Sequence, residues 1–315
     1  MDVDATRTPV KAEGLWWEDC GLVIQAENTV YRVSRDQLAS HSPVFRDMLL
    51  LPPPQDAETF EGCPLVRVPD KADDVTTFFK ALFSYDYFPQ YPFKTTLAVV
   101  RSVLRMSDKY GVDGLRARAL AHLDAIHPTK FGDWKKMPNP FSDEFNSGDG
   151  DPVGLLSDLR KLSLTWMLPV AFYRACDLET TTILHTAQEI SAEDGQRALT
   201  GLRRLEGQEN AAVLDFLWEP SVIAGCDDML HCMTERLVAR RQALTWGFPL
   251  TGGYLPLQIW VDTDWASLQA CNICCAYMHT AQEDAIRQFW NRLPEIFDLP
   301  SWEELEEERR RVMQL

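Results

Sequence analysis

Leader-like patterning and long apolar runs are what the sequence has least of, and neither a leader nor a membrane span is expected. Its first twenty residues, MDVDATRTPVKAEGLWWEDC, contain no basic segment followed by an apolar stretch. No uninterrupted apolar run elsewhere approaches the ~18–20 residues that a bilayer crossing takes. An intracellular protein, in the cytoplasm or nucleus and away from membranes, is therefore expected. Positive charge is also scarce. Thirty-one Lys and Arg against 47 Asp and Glu leave a formal charge of −16, which disfavours direct binding to nucleic-acid phosphates or anionic membranes. A protein partner or a small molecule is the better expectation. Asn-x-Ser/Thr acceptors, Walker loops, His-Glu-x-x-His and the Gly-x-Ser-x-Gly turn are all missing. No internal repeat of about 20–50 residues is evident.

What is present is ordinary for a folded chain: 45% hydrophobic and 25% charged residues. At 315 residues the chain exceeds the usual size of one hydrophobic core, so two domains are expected. Eight cysteines in a reducing compartment act as small hydrophobes, metal ligands or reactive thiols, not as a disulfide framework.

The first half changes period several times. Gly21–Gln25 (GLVIQ) and Thr29–Val33 (TVYRV) are β-rich runs close enough to form a hairpin. Ser34, Asp36, Ser40, His41 and Ser42 then crowd together, which invites a hydrolase reading. Ser42 before Pro43 is better read as a helix start, a hydroxyl acceptor followed by a residue with no N–H to leave unpaired. Val44, Phe45, Met48 and Leu49 follow at helical spacing and are expected to share a buried face. Leu65–Pro69 reads as a third strand ended by its proline. Val75, Phe78, Phe79, Leu82 and Phe83 form a five-point amphipathic match. Thr96–Tyr110, with Leu97, Val100, Val103 and Leu104 inward and Gly111 as its stop, and Leu115–Ile126 complete an antiparallel helical pair.

This ordered series (strand, strand, RVSRDQLASHSPVFRDML, strand, DVTTFFKALFSYDYF, VLRMSDKYGVDGLRARALAHL) resembles a BTB/POZ domain in the version found in many fungal proteins. The resemblance covers roughly Trp17 to His127 and implies an α+β fold, a small sheet flanked by helices. It places Leu38, Ser42, Phe45 and Met48 at core and capping positions of the corner helices. Ser34 stands where the family commonly has His. The expected organisation is an N-terminal tail (1–16), a BTB/POZ-like domain (17–127), a linker or mobile loop (128–154) and a mainly α-helical C-terminal domain (155–315).

Residues 130–154 are rich in Pro, Gly, Asn, Asp and Ser. Gly148, Gly150 and Gly154 are one residue too widely spaced for a dinucleotide fingerprint, and no strand precedes them. Beyond, the pattern is helical. Ser191 with Asp194 begins a helix carrying Leu199, Leu202 and Leu205; further stripes are Leu230, Met233, Leu237 and Leu244, then Leu268, Cys271, Cys275 and Met278. Asp262 and Asp264 form a weak paired-carboxylate candidate, and Asp264 is more simply the N-cap of the next helix. Glu306 and Glu307 stand four residues before Arg310 and Arg311, an orientation that suits helix ion pairs on a solvated terminal helix.

The cysteines carry the best chemical candidate. Cys226 and Cys232 are five residues apart, and Cys271 and Cys274 are two apart. The second spacing is a frequent half of a structural zinc site, with His231, Cys275 and His279 as substitute ligands. The competing reading is core packing of Cys271 and Cys275 on an apolar stripe. Similar fungal proteins often carry the same two cysteine pairs before an end that resembles FWNRLPEIFDLPSWEEL here, which strengthens the zinc reading. Four protein ligands would leave no open catalytic position.

The resemblance implies a protein-interaction adaptor or scaffold without catalytic residues, one version being a substrate adaptor for a cullin ubiquitin ligase. The hydrophobic-x-Glu element typical of such adaptors does not occur in MLLLPPPQ (Met48–Gln55). The alternatives are a transcriptional co-regulator without its own DNA-binding domain, and an enzyme whose site is assembled from scattered residues. Self-association is expected through a helix face if a homodimer forms, since no strand is evident before Trp17.

Overall fold

Leu22–Ala26 (β2) and Thr29–Val33 (β3) alternate little and are buried almost throughout, as strands covered on both faces should be. They pair antiparallel in register Ala26↔Thr29 to Leu22↔Val33, closed by Glu27 and Asn28. The computed structural model describes residues 8–52, 57–137, 152–177, 190–245 and 255–314. It is mixed α+β, a five-stranded sheet near the N-terminus and a mostly helical remainder, and it divides into two units after Ile126.

In the first unit the sheet order is β1-β3-β2-β5-β4, with β1 at Val10–Trp16, β4 at Thr59–Phe60 and β5 at Cys63–Val68. β1 runs parallel to β3, and β5 parallel to β2. β1 corrects the expectation of a strandless tail over residues 1–16, and with it the premise used against strand-mediated association. Its inward residues, Ala12 and Leu15, are three apart because the register breaks between Lys11 and Trp16 around Gly14, whose φ is 73°. A bulge of this kind erases the two-residue period by which a strand is recognised.

The polar cluster is a structural corner. Ser34 Oγ accepts from the Gln37 N–H and caps α1 (Arg35–His41). Ser40 Oγ donates to the Gln37 carbonyl, and His41 is exposed. Ser42, fully buried, caps α2 (Pro43–Leu50) by accepting from the Phe45 N–H at 3.1 Å and donates its own proton to the Tyr110 carbonyl. Of the face expected to be buried on α2, only Phe45 is; Val44 is exposed and Met48 and Leu49 are half-buried, because this short helix meets the core along one ring.

That ring stacks on Tyr110 at 4.4 Å, within a cluster with Tyr31, Phe78 and Phe79. Phe78 and Phe79 come from α3 (Ala72–Phe83), whose first free N–H at Ala72 is satisfied by the Glu27 carboxylate of the hairpin turn. Tyr110 ends α4 (Leu97–Tyr110), which Thr96 caps and Gly111 terminates in the left-handed region. Its hydroxyl donates to Asp70 at 2.6 Å, and burial together with that carboxylate holds the phenol well above its ordinary range. α5 (Asp113–Ile126) packs beside α4.

The second unit takes residues 127–137 and 152–315. Of the segment read as a linker, residues 131–136 and 152–154 are helical. Phe131–Lys136 (α6) buries Trp134 against Trp290 at 5.5 Å, and Pro152–Lys161 is already helical. Residues 138–151, with Gly148 and Gly150, lie outside the described residues. Trp166, Phe172, Tyr173, Phe289, Trp290 and Phe297 make the core, with Phe172 stacked on Phe297 at 5.2 Å. Gly201, in the helix Ala192–Arg204, is required here because a Cβ would stand 2.2 Å from the Phe297 ring. Ser191 caps that helix as expected, and Asp194 is buried between Arg160 and Arg197. Burial works to raise the Asp194 pKa, but the two guanidiniums outweigh it and hold the carboxyl below its ordinary value. Leu199 is only half-buried; Ala198, Leu202 and Leu205 face inward instead.

The FWNRLPEIFDLPSWEEL stretch supplies the far wall. Trp302 stacks on Trp290 at 5.3 Å and donates its indole N–H to the Trp290 carbonyl, while Ser301 and Glu304 form a capping box on Trp302–Met313. That helix is not merely solvated. Leu305 is buried, and Glu306 accepts from Thr129 Oγ, besides pairing with Arg310 at 3.6 Å. Among the described residues no helix is long and apolar enough to cross a membrane.

Candidate metal centre

Two helix starts and one turn bring the cysteines together. Cys226 follows Gly225, whose φ of 79° belongs to the left-handed region that a side chain rarely adopts. Asp228 accepts the His231 N–H and so opens the helix Met229–Thr245, which carries Cys232 in its first turn. Cys271 is the N-cap of the long helix Asn272–Ile296, and Cys274 lies in that helix's first turn. The Cys-x-x-Cys spacing thus falls where free backbone N–H groups gather.

The four sulfurs all lie within 4.8 Å of one another, and those of Cys226 and Cys271 are 3.9 Å apart. The second distance is far beyond a disulfide of ~2.05 Å and close to the ~3.8 Å edge of a tetrahedron with zinc–sulfur bonds of ~2.3 Å. Cys232 and Cys274 are buried, and Cys226 and Cys271 are half-buried. The Cys271 N–H donates to the Cys232 sulfur at 3.2 Å. Amide hydrogen bonds from Asp227 and Cys274 lower the Cys271 thiol to about 6. Burial, then the neighbouring thiols of Cys226 and Cys271, push Cys274 well up, and burial also raises Cys232. One thiolate is thus accommodated by amides, while further ionisation calls for a cation. A soft, four-sulfur, tetrahedrally compatible donor set fits zinc, and it fits no hard cation such as magnesium or calcium.

All four ligands expected from the sequence converge; the substitutes do not join them. His231 is exposed, Cys275 donates to the Ala270 carbonyl, and the His279 ring stacks on Trp265 at 3.8 Å. The core-packing reading of Cys271 and Cys275 is corrected as well. Leu268 and Cys271 precede the helix instead of lying on it, and Cys274, Met278 and Gln282 form its inward face. Asp264 is not an N-cap. It stands within the helix Asp262–Ser267 and accepts the Val261 N–H at 2.8 Å, which commits its buried carboxylate to structure.

On Met229–Thr245 the expected stripe is turned outward. Leu230 is 72% and Leu237 41% exposed, while Cys232, Arg236, Ala239 and Ala243 face in. Leu244 lies among the residues whose side chains are not described. Pattern reading missed Gly225, Asp228 and Arg236; the signal available for Arg236 was its place one helical turn after Cys232.

Compared with protein-family models, with curated proteins and with solved structures, the chain finds no match.

Proposed function

We propose that this protein is a non-enzymatic adaptor or scaffold, with a BTB/POZ-like first unit that makes protein contacts and a helical second unit braced by one structural zinc. The observation that carries the reading is the convergence of Cys226, Cys232, Cys271 and Cys274. With four protein sulfurs as ligands, the metal would have no open position for water or substrate, so its chemistry would be to fix shape. Cys226 and Cys232 would hold it from the turn and the helix after Pro220, and Cys271 and Cys274 from the start of Asn272–Ile296. The strand and helix order of the first unit supports the BTB/POZ-like reading. So do its large exposed side chains, among them Leu50, Leu51, Tyr85 and Phe93, which are candidates for protein contact.

The test is affinity capture of the full chain, followed by reconstitution with the purified candidate and with a Leu50→Asp/Leu51→Asp variant as control. A stoichiometric complex that the variant weakens is expected. A chain that assembles with no purified protein, or that turns over a small molecule, would sink the adaptor reading. A cullin in the complex would narrow it to ubiquitin ligation.

A further inference from the structure

Arg236 is 3% exposed, one turn beyond Cys232 on the same helix face. Nη1 donates to the Pro220 carbonyl and Nη2 to the Phe216 carbonyl, each at 2.9 Å, and the buried Nε has no partner. No carboxylate of the described residues lies within ion-pair distance of it. Its bonds to two neutral carbonyls solvate the guanidinium but do not neutralise it, and a buried, unneutralised charge is costly. The carbonyls belong to the segment that leads into Cys226, so Arg236 joins both metal-bearing strands of the first cysteine pair. Cys232, one turn earlier on the same face, belongs to the cluster, and four thiolates around one divalent ion would carry two uncompensated negative charges.

We propose that Arg236 is the charge-balancing residue of the zinc centre formed by Cys226, Cys232, Cys271 and Cys274, supplying from the adjacent helical turn positive charge that the ion does not. This rests on the metal reading above. It explains why a cation is buried with no carboxylate of the described residues within ion-pair distance, on the inward face of Met229–Thr245. Burial works to lower the guanidinium pKa, and the Cys274 sulfur leads the groups that oppose it, with Tyr277, Glu219 and Cys226 after it.

The experiment loads the metal-free full chain with zinc and measures affinity by competition with a chromophoric chelator, for the parent, Arg236→Gln and Arg236→Lys. The parent is read first: a parent that binds no zinc removes the metal reading and this proposal together. With the parent binding, Arg236→Gln is expected to lose about 10–100-fold in affinity, the usual scale for an outer-shell partner. Arg236→Lys, which keeps the charge but not the forked carbonyl bonds, should recover most of it. Cobalt(II) spectra of the glutamine variant should keep the parent's tetrahedral signature, showing that charge and not shape was lost. Parent-like affinity in Arg236→Gln, or equal losses in both variants, would overturn the proposal in favour of a carbonyl clamp. If the glutamine variant does not fold, the lysine variant decides: near-parent affinity supports charge balance, and lost affinity or failure to fold overturns it.

Discussion

The aromatic centre of the first unit and the inward face of Met229–Thr245 solve the same problem with opposite materials. In the first, Tyr31, Phe45, Phe78, Phe79 and Tyr110 fill one continuous volume, and any of several helices could lean on it. In the second, Cys232, Arg236, Ala239 and Ala243 face inward while Leu230 and Leu237 face out. Apolar volume is a strong but undirected adhesive. Two alanines offer little of it, so directional bonds carry more of the placement: guanidinium to carbonyl in the structure, and thiol to metal on the proposed zinc reading. A helix that packs by volume tolerates substitution at a price proportional to atoms lost, whereas one that packs by coordination loses its placement when a single ligand is lost.

The sharpest way to break this contrast is to remove one ligand. Structural zinc contributes about 10–16 kcal/mol of binding free energy in isolated zinc-finger peptides, so Cys274→Ser is expected to have the largest effect of any substitution considered. Elemental analysis should fall from one zinc per chain to none. Amide exchange should accelerate across residues 229–245 and at the start of Asn272–Ile296 while α4 and α5 keep their protection. A metal-free parent with the same protection pattern would dissolve the comparison. Next is Phe79→Ala, which should cost about 3–5 kcal/mol because the ring is fully buried. Its signature is a lower melting transition of the first unit at unchanged zinc content; an unchanged melting curve would refute its place in the core. The smallest is Gly201→Ala. The added methyl meets Phe297 at 2.2 Å, and that ring is stacked on Phe172 and has little room to retreat. A destabilisation of about 1–3 kcal/mol, confined to the second unit, is expected from overpacking of this kind. Parent-like calorimetry would mean that the ring moves freely after all.

Where the period of hydrophobic residues coincided with the buried face, the sequence was readable. The hairpin, the corner cap at Ser42, α3 to α5 and the Ser191 cap follow directly from residue order, whereas the Ser34 cap was not read. The convergence of the four cysteines was readable too, though from cysteine spacing and a family resemblance, not from periodicity. Two of the losses share a cause: the face that packs was not the most hydrophobic one. β1 hid behind the bulge at Gly14, which set its inward residues three apart. Met229–Thr245 hid because small and polar residues face its neighbour, so the leucine stripe pointed the wrong way. Asp264 looked like a cap at the wrong position because side-chain capping can reach backwards from inside a helix as readily as forwards from its edge.

The contact between Glu306 and Thr129 spans 177 residues of sequence. Its consequence lies in time as well as in space. As the chain emerges from the ribosome, the described part of the first unit, which ends at Ile126, is available early. Thr129 and the helix Phe131–Lys136 must wait, because Trp290, Trp302 and Glu306, which cover them, are made last. For most of its synthesis the second unit therefore presents Trp134 uncovered, and only the arrival of Trp302–Met313 completes the wall. The stretch of chain most exposed to misassociation or to a chaperone is thus fixed by the order in which the sequence is read out, not by its composition.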